Sequence, residues 1–262
     1  MKIYLFGYSG MLGSYIKKQF PEAICFTSKE LDASTCNYKD ISNILKDLKK
    51  GDVVINAAGI IPHSKKTNFW KVNCDFPILL GNFCRFKEAK FIHISTDCVF
   101  SGRKGNYLET DEADSNTEYG ISKYMGENAY GTIITSSIIG EELKNKYSLL
   151  EWVRSNKGNT VNGFKNHLWN GVTCWQLSKI IRDVIDKNLY WLGKRHVFSP
   201  IPITKASLVK TISDIYNLDV NVNVINDSQT KNMTLSTMYE PLFKIPPIEE
   251  QILEMSKLSL DS

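Results

Sequence analysis

Tyr119 and Lys123 stand four residues apart in the run Tyr119-Gly120-Ile121-Ser122-Lys123. On a helix that spacing puts both side chains on one face, so they can address the same ligand. An ammonium beside a phenol favours the ionised phenol and lowers its pKa. A phenol tuned in that way can hand a proton to a carbonyl oxygen near neutral pH. Upstream lie a glycine-rich run, Gly7-Tyr8-Ser9-Gly10-Met11-Leu12-Gly13, and the triplet Ser95-Thr96-Asp97. A dinucleotide cradle followed by a proton donor points to hydride transfer.

The elements that must hold these residues are readable from apolar periodicity. Ile3 to Phe6 reads as a buried strand ending at Gly7, followed by a helix from Met11 to Phe20 that Pro21 stops. Ala23 to Thr27, Val53 to Ile55, Lys90 to Ser95 and Ile133-Ile134 read as further strands. Between them, Asp40 is expected to cap a helix carrying Ile41, Ile44, Leu45 and Leu48, and a helical stretch runs from beyond Gly59 to about Phe86. The Tyr119 helix fills the last interval. Strands alternating with helices predict an α/β protein built on a doubly wound parallel sheet. After Gly140 the texture changes. Ser148 to Glu151 and Thr173 to Gln176 have capping-box form, each opening a helix. Asn159 to Asn170 is polar and aromatic, Val220 to Val224 alternates like a half-exposed strand, and prolines at 200, 202, 246 and 247 mark loops. The organisation expected is a dinucleotide-binding domain over 1–140, a segment of about 172–200 returning to it, and a smaller substrate lobe made mostly of 141–262.

Composition narrows the function class. Hydrophobic residues make up 42% of the 262, enough for a sizeable core, and the net charge of +4 comes from scattered lysines. No dense basic block supports nucleic-acid binding, while a mildly basic surface suits an anionic substrate such as a nucleotide sugar. No apolar stretch approaches the length of a membrane span, and the N-terminal apolar run is too short for a signal-peptide core. The six cysteines form no CxxC pair, so no metal ligand set emerges, and reduced cysteines fit a cytoplasmic location.

Gly7, Gly10 and Gly13 fall where a strand turns into a helix. Glycine there allows the tight turn, the approach of a pyrophosphate and close helix–strand packing, while free N–H groups at the helix start meet the phosphate charge. Selectivity at the adenosine end is read after the second strand, in Thr27-Ser28-Lys29-Glu30. Ser28 and Lys29 suit the extra phosphate of NADPH, and Glu30 the ribose diol of NADH; the run tilts toward NADPH. Ala57-Ala58-Gly59 ends a strand with small side chains against which an adenine or ribose can lie.

Together these motifs resemble the extended short-chain dehydrogenase/reductase superfamily, and within it the dTDP-4-dehydrorhamnose reductase family. The carrying residues are Gly7 to Gly13, Leu31-Asp32, Asn56-Ala57-Ala58-Gly59, Val72-Asn73, Ile94 to Phe100, Tyr119 to Lys123 and Gly126-Glu127, in family order over the first half of the chain. The resemblance implies a Rossmann domain. It implies that Thr96 hydrogen-bonds the substrate carbonyl, that Tyr119 donates the proton, and that Lys123 holds the nicotinamide ribose and lowers the Tyr119 pKa. Gly10, Met11 and Leu12 would face the pyrophosphate, with Asn37-Tyr38 at the adenine. Thr96 is followed by Asp97-Cys98 rather than the Asp-Glu typical of the dehydratases, so the expected reaction is NAD(P)H-dependent reduction of a nucleotide-linked 4-keto-6-deoxy sugar.

Two alternatives accompany that expectation. Cys98 resembles the acid/base cysteine of bifunctional epimerase-reductases, which pair it with a His or Lys of the substrate lobe; Lys165 and His167 are available. Some relatives of this fold are noncatalytic regulatory subunits. Beyond residue 140 the likeness fades, and Asn166, His167, Trp169 and Asn170 are the residues whose amides, imidazole and indole suit a sugar or a base. A homodimer is left open.

Overall fold

A computed structural model describes residues 1–62, 68–144 and 146–258. Five strands open the chain: β1 (Ile3–Phe6), β2 (Ile24–Phe26), β3 (Val53–Asn56), β4 (Lys90–Thr96) and β5 (Thr132–Ser136). With Gly193–His196 they form one sheet in the order Gly193–His196, β5, β4, β3, β1, β2, and every pairing is parallel. All residues of β1, β3 and β5 are buried, as expected for strands covered on both faces.

The chain steps outward from β1 to β2, then crosses back to place β3 on the other side of β1. That reversal opens a crevice at the carboxyl ends of β1 and β3, where open parallel sheets bind their ligands. Helix α1 (Met11–Gln19) packs against α6 (Cys174–Asp186) on one face of the sheet. Helices α2 (Tyr38–Ile44), α3 (Phe76–Phe86) and α4 (Glu118–Gly126) cover the other. In α6, Leu177, Ile180, Ile181 and Val184 are at most 2% exposed. Burying each contributes about 1.5–3 kcal/mol, which makes α6 a principal fastener of the α1 face.

Two local expectations need correction. Asn37, not Asp40, caps α2: its Oδ1 accepts from the Lys39 and Asp40 amides at 2.8 and 3.3 Å, and Asp40 accepts from the Asn37 amide at 3.0 Å. The reciprocal box ties down two amides that a lone aspartate cap would leave open. The helical stretch before Phe86 begins with a wide π turn, Trp70–Asp75, and its predicted beginning includes 63–67, outside the described residues.

The later chain builds short sheets from distant segments. His167–Trp169 pairs with Ile203–Thr204 and with Lys231–Asn232, Thr160–Phe164 with Asn221–Ile225, and Ile138–Ile139 with Val172–Thr173. Thus Asn159 to Asn170, read as a polar stretch, contains two strands, while the expected strand near 220–224 is present as Asn221–Ile225 without the alternation, since Asn223 and Val224 are both exposed. Ser148 and Thr173 cap α5 (Leu149–Ser155) and α6, accepting from the Glu151 and Gln176 amides. Helices α7 (Lys205–Ile215) and α8 (Ile248–Ser256) complete this half. One hydrophobic cluster runs from Leu5 and Ile16 through Leu177 and Ile181 to Leu208 and Ile252, so both halves share a core. Among the described residues no helix is long and apolar enough to cross a membrane.

Candidate active site

The crevice contains a cavity of about 340 Å³ lined by Gly7, Ser9, Gly10, Met11, Ser28, Ala57, Ala58 and Gly59, with Asp32 and Ala33 at one end. Its floor exists because two glycines lack side chains. Gly7 has φ +80, and a Cβ there would sit 2.6 Å from the Ala58 nitrogen. A Cβ on Gly13 would sit 2.1 Å from the Gly7 oxygen, so any larger residue would pry α1 off the turn. No side chain caps the N-terminus of α1 at Gly10. Its first amides therefore have no side-chain cap among the described residues, and an uncapped helix start beside a cavity is the arrangement that binds phosphate. The cradle therefore fits a dinucleotide.

Not all the residues expected to hold the cofactor reach this cavity. Leu12 is buried in the core and Gly13 serves the helix–turn packing. Asn37 is spent on capping α2, and Tyr38 lies edge-on to Phe83 at 5.6 Å between centroids; Asp32 and Ala33 line the cavity instead. Glu30 folds back on Thr27, accepting from its amide at 2.7 Å and its hydroxyl at 2.6 Å. This bond pair pulls the Glu30 carboxyl below its ordinary pKa and leaves it off the cavity wall. Lys29 is exposed and also outside the wall, whereas Lys144, unmarked by any motif, lines it.

At the carboxyl end of β4 a short 3-10 turn, Asp97–Val99, follows Thr96, whose Oγ1 accepts from the Cys98 amide at 3.2 Å. Helix α4 lies against this turn because position 120 is glycine: a Cβ there would meet the Cys98 oxygen at 2.3 Å and Ser115 Oγ at 2.1 Å. Gly126 makes the equivalent approach at the other end, where a Cβ would sit 2.1 Å from the Asn73 oxygen. Asn73 is fully buried and exchanges two bonds with the backbone of Ile60, each 3.0 Å, joining the cavity wall to α4. Thr117 caps α4 through the Gly120 amide at 3.1 Å. The result brings the Tyr119 phenol close enough to the Thr96 side chain for the two to interact.

The electrostatics differ from the expectation for the Tyr–Lys pair. The Tyr119 phenol is pushed up, chiefly by burial and then by Cys98, while its interaction with Thr96 pulls the other way. Lys123 does not lower it: its Nζ donates to the Ile94 carbonyl at 2.6 Å, and burial brings its own pKa down to about 8. Shared helix face alone does not bring the ammonium to the phenol, because the Ile94 carbonyl at the buried end of β4 holds it first. Tyr119 is thus protonated at neutral pH, the form a proton donor requires.

Cys98 is likewise a neutral thiol. Burial, reinforced by Asp97, pushes it up to about 12, so the thiolate expected beside a lobe cation is not formed here. The lobe candidates are engaged elsewhere. His167 Nε2 lies 2.9 Å from Asp227 Oδ2 and 3.0 Å from the Gln229 carbonyl, and Lys165 is exposed. The cation that acts on Cys98 and Asp97 is Lys205. Asn166 bonds the backbone of Asp227 twice, at 2.9 and 2.8 Å, Asn170 bonds that of Leu235 twice at 2.8 Å, and Trp169 is 2% exposed. These four residues, expected to read substrate, tie the second half together.

A parallel sheet with a glycine cradle at its switch point and a Thr–Tyr–Lys set at its carboxyl edge defines the extended short-chain dehydrogenase/reductase class. Within it, the model of the RmlD substrate binding domain matches residues 1–139, and the chain belongs to that family. The dTDP-4-dehydrorhamnose reductase of Mycobacterium tuberculosis is 30% identical over 141 residues, 49% of this chain and 45% of that protein. The chain spans about half the length of the curated relatives it matches. Among solved structures, a dTDP-4-dehydrorhamnose reductase from Clostridium acetobutylicum superposes with TM-score 0.79 at 21% identity, covering 97% of this chain and 98% of that one. One from Bacillus anthracis, in complex with NADP, gives 0.80 at 20% identity over 97% and 99%. At such identity these two establish the fold.

Proposed function

We propose that this protein is an NAD(P)H-dependent reductase of a nucleotide-linked 4-keto-6-deoxy sugar. The observation that carries the reading is the contact between α4 and the turn after β4, which sets the Tyr119 phenol against Thr96 beside a cradle fitted to a dinucleotide. A bound nicotinamide dinucleotide supplies the hydride. Thr96 and Tyr119 hold the ketone oxygen through their hydroxyls. As that oxygen gains charge it becomes basic enough to take the Tyr119 proton, although the phenol is a weak acid. Lys123, freed from the Ile94 carbonyl, orients the cofactor ribose. Ser28 and Lys144 at the adenosine end, with Glu30 folded away, support NADPH over NADH. The names of the mycobacterial relatives and the NADP in the Bacillus structure support the same substrate and cofactor classes.

The test is NADPH and NADH oxidation with freshly prepared 4-keto-6-deoxy sugars carrying dTDP, UDP, GDP or CDP, for the native protein and Tyr119→Phe. Native turnover should fall at least roughly 100-fold in the variant, with cofactor affinity retained. Turnover untouched by the substitution would overturn the role of Tyr119, and the absence of native turnover with all four nucleotides would overturn the reading.

A further inference from the structure

Lys205 is placed where the rules of local structure disfavour a lysine. It is the first residue of α7, directly after the cap Thr204, whose side chain accepts from the Ser207 amide at 3.0 Å. A cation at a helix N-terminus opposes the helix dipole. It is also half-buried, with Nζ 5.2 Å from the centroid of the Trp169 ring. Trp169 itself is fixed from both sides, since its strand pairs with Ile203–Thr204 and a Cβ on Gly171 would sit 2.2 Å from the indole. Among the described residues the Lys205 ammonium has neither a hydrogen bond nor an ion pair; the charge it meets is that of Asp97, beside the Cys98 thiol. Burial lowers its pKa, and those two groups work against that shift.

Asp97 and Cys98 belong to the turn that carries Thr96, so the charge brings the second half of the chain to the edge of the reducing site. Asp97 is 3% exposed and already accepts from Thr96 and from Cys98, at 3.3 and 3.7 Å. A lysine that closed onto it would form a buried ion pair; this one stops short, with its three N–H donors available between the turn and the indole. A half-buried ammonium that meets an indole face and no hydrogen-bond acceptor among the described residues, beside the turn of a reacting centre, is a binding device whose cost in stability is recovered when ligand arrives.

Resting on the reductase reading, we propose that Lys205 is a substrate-binding residue: its ammonium holds an oxygen of the sugar adjacent to the carbonyl that Thr96 and Tyr119 address. The fold-wide consequence is that substrate choice depends on a residue of α7 and not on Asn166, His167 or Asn170, whose polar atoms are internally engaged.

The experiment is steady-state reduction by the native protein, Lys205→Met and Lys205→Arg, with NADPH affinity measured by fluorescence. Loss of a charge-assisted bond predicts a KM for the keto sugar raised roughly 10- to 100-fold in Lys205→Met. NADPH affinity should stay within twofold and Lys205→Arg should recover part of the loss. An unchanged KM overturns the proposal while leaving the reductase reading in place, and so does a loss that extends to NADPH affinity, which marks a folding defect. Should the native protein reduce none of the sugars, calorimetric titration with dTDP-glucose separates the two claims. Binding weakened tenfold or more by Lys205→Met supports the contact without the reaction. Equal binding by the two proteins, or binding by neither, overturns it.

Discussion

On the sheet side of the cleft, Thr96, Tyr119 and Lys123 hang from elements squeezed together by Gly120 and Gly126. In the second half of the chain, Asn166, His167 and Asn170 lie in short strands and loops, and their polar atoms go to neighbouring backbone and to Asp227. Both regions are rich in residues that can bind sugars. What separates them is where the backbone finds its own partners. On the sheet side the ladder takes up most of the backbone, and the bonds that Thr96 and Lys123 make, to the Cys98 amide and the Ile94 carbonyl, stay within the site itself. The short sheets of the second half leave backbone groups over, and side-chain amides must close them.

The sharpest way to break this contrast is Gly120→Ala. The new methyl would meet the Cys98 carbonyl, a backbone atom that cannot swing aside, so α4 must shift. Displacing a donor by about 1 Å costs on the order of 100-fold in rate, so kcat should fall that far while cofactor affinity at the Gly7 cradle stays close to native. A variant with native kcat would show that the tight approach does not position Tyr119.

Asn170→Ala probes the other side. It strands the amide and carbonyl of Leu235 in the interior, which should cost about 1–3 kcal/mol in urea unfolding. If Asn170 instead read substrate, KM would rise and the unfolding midpoint would not move.

The smallest effect is a pH-dependent one at Lys123. Burial holds its pKa near 8 in the native protein, against an ordinary value of 10.5. Between those values the unfolded chain binds more protons, so native stability rises with pH across that window. At pH 7 both states are charged and the burial penalty is felt in full. Lys123→Met should therefore melt a few degrees above native at pH 7, with the gap closing as pH climbs from 8 to 10.5. A gap independent of pH would mean that the ammonium bears no such penalty.

The same contrast decides what could be read from the sequence. Gly13 and Gly120 mark close approaches between consecutive elements, and buried parallel strands leave unbroken apolar runs, so the sheet, the cradle and the Tyr119 helix all show in one dimension. Glu30 was ambiguous because its fold-back onto Thr27 depends on a side-chain rotamer. Asn37 drew attention as an adenine contact, yet an Asn three residues before an Asp at a helix start is also a capping pair, the signal that would have placed it correctly. Lys205 had no such local mark. Its meaning comes from Asp97, more than a hundred positions away, across a chain path that no spacing rule describes.

The packing of α6 on α1 also bears on how the chain is made. Leu12, Tyr15 and Ile16 are sealed within a core that includes Leu177 and Ile181, and β5 is flanked only when Gly193–His196 arrives. A nascent chain that has emerged as far as residue 139 therefore displays an apolar helix face and an open sheet edge. At about 5–20 residues per second the wait for both covers lasts on the order of several seconds, a period in which sticking to a neighbouring nascent chain competes with completing the molecule. Cutting the gene at the end of the recognisable family segment would make that state permanent, and the fragment should be recovered as aggregate.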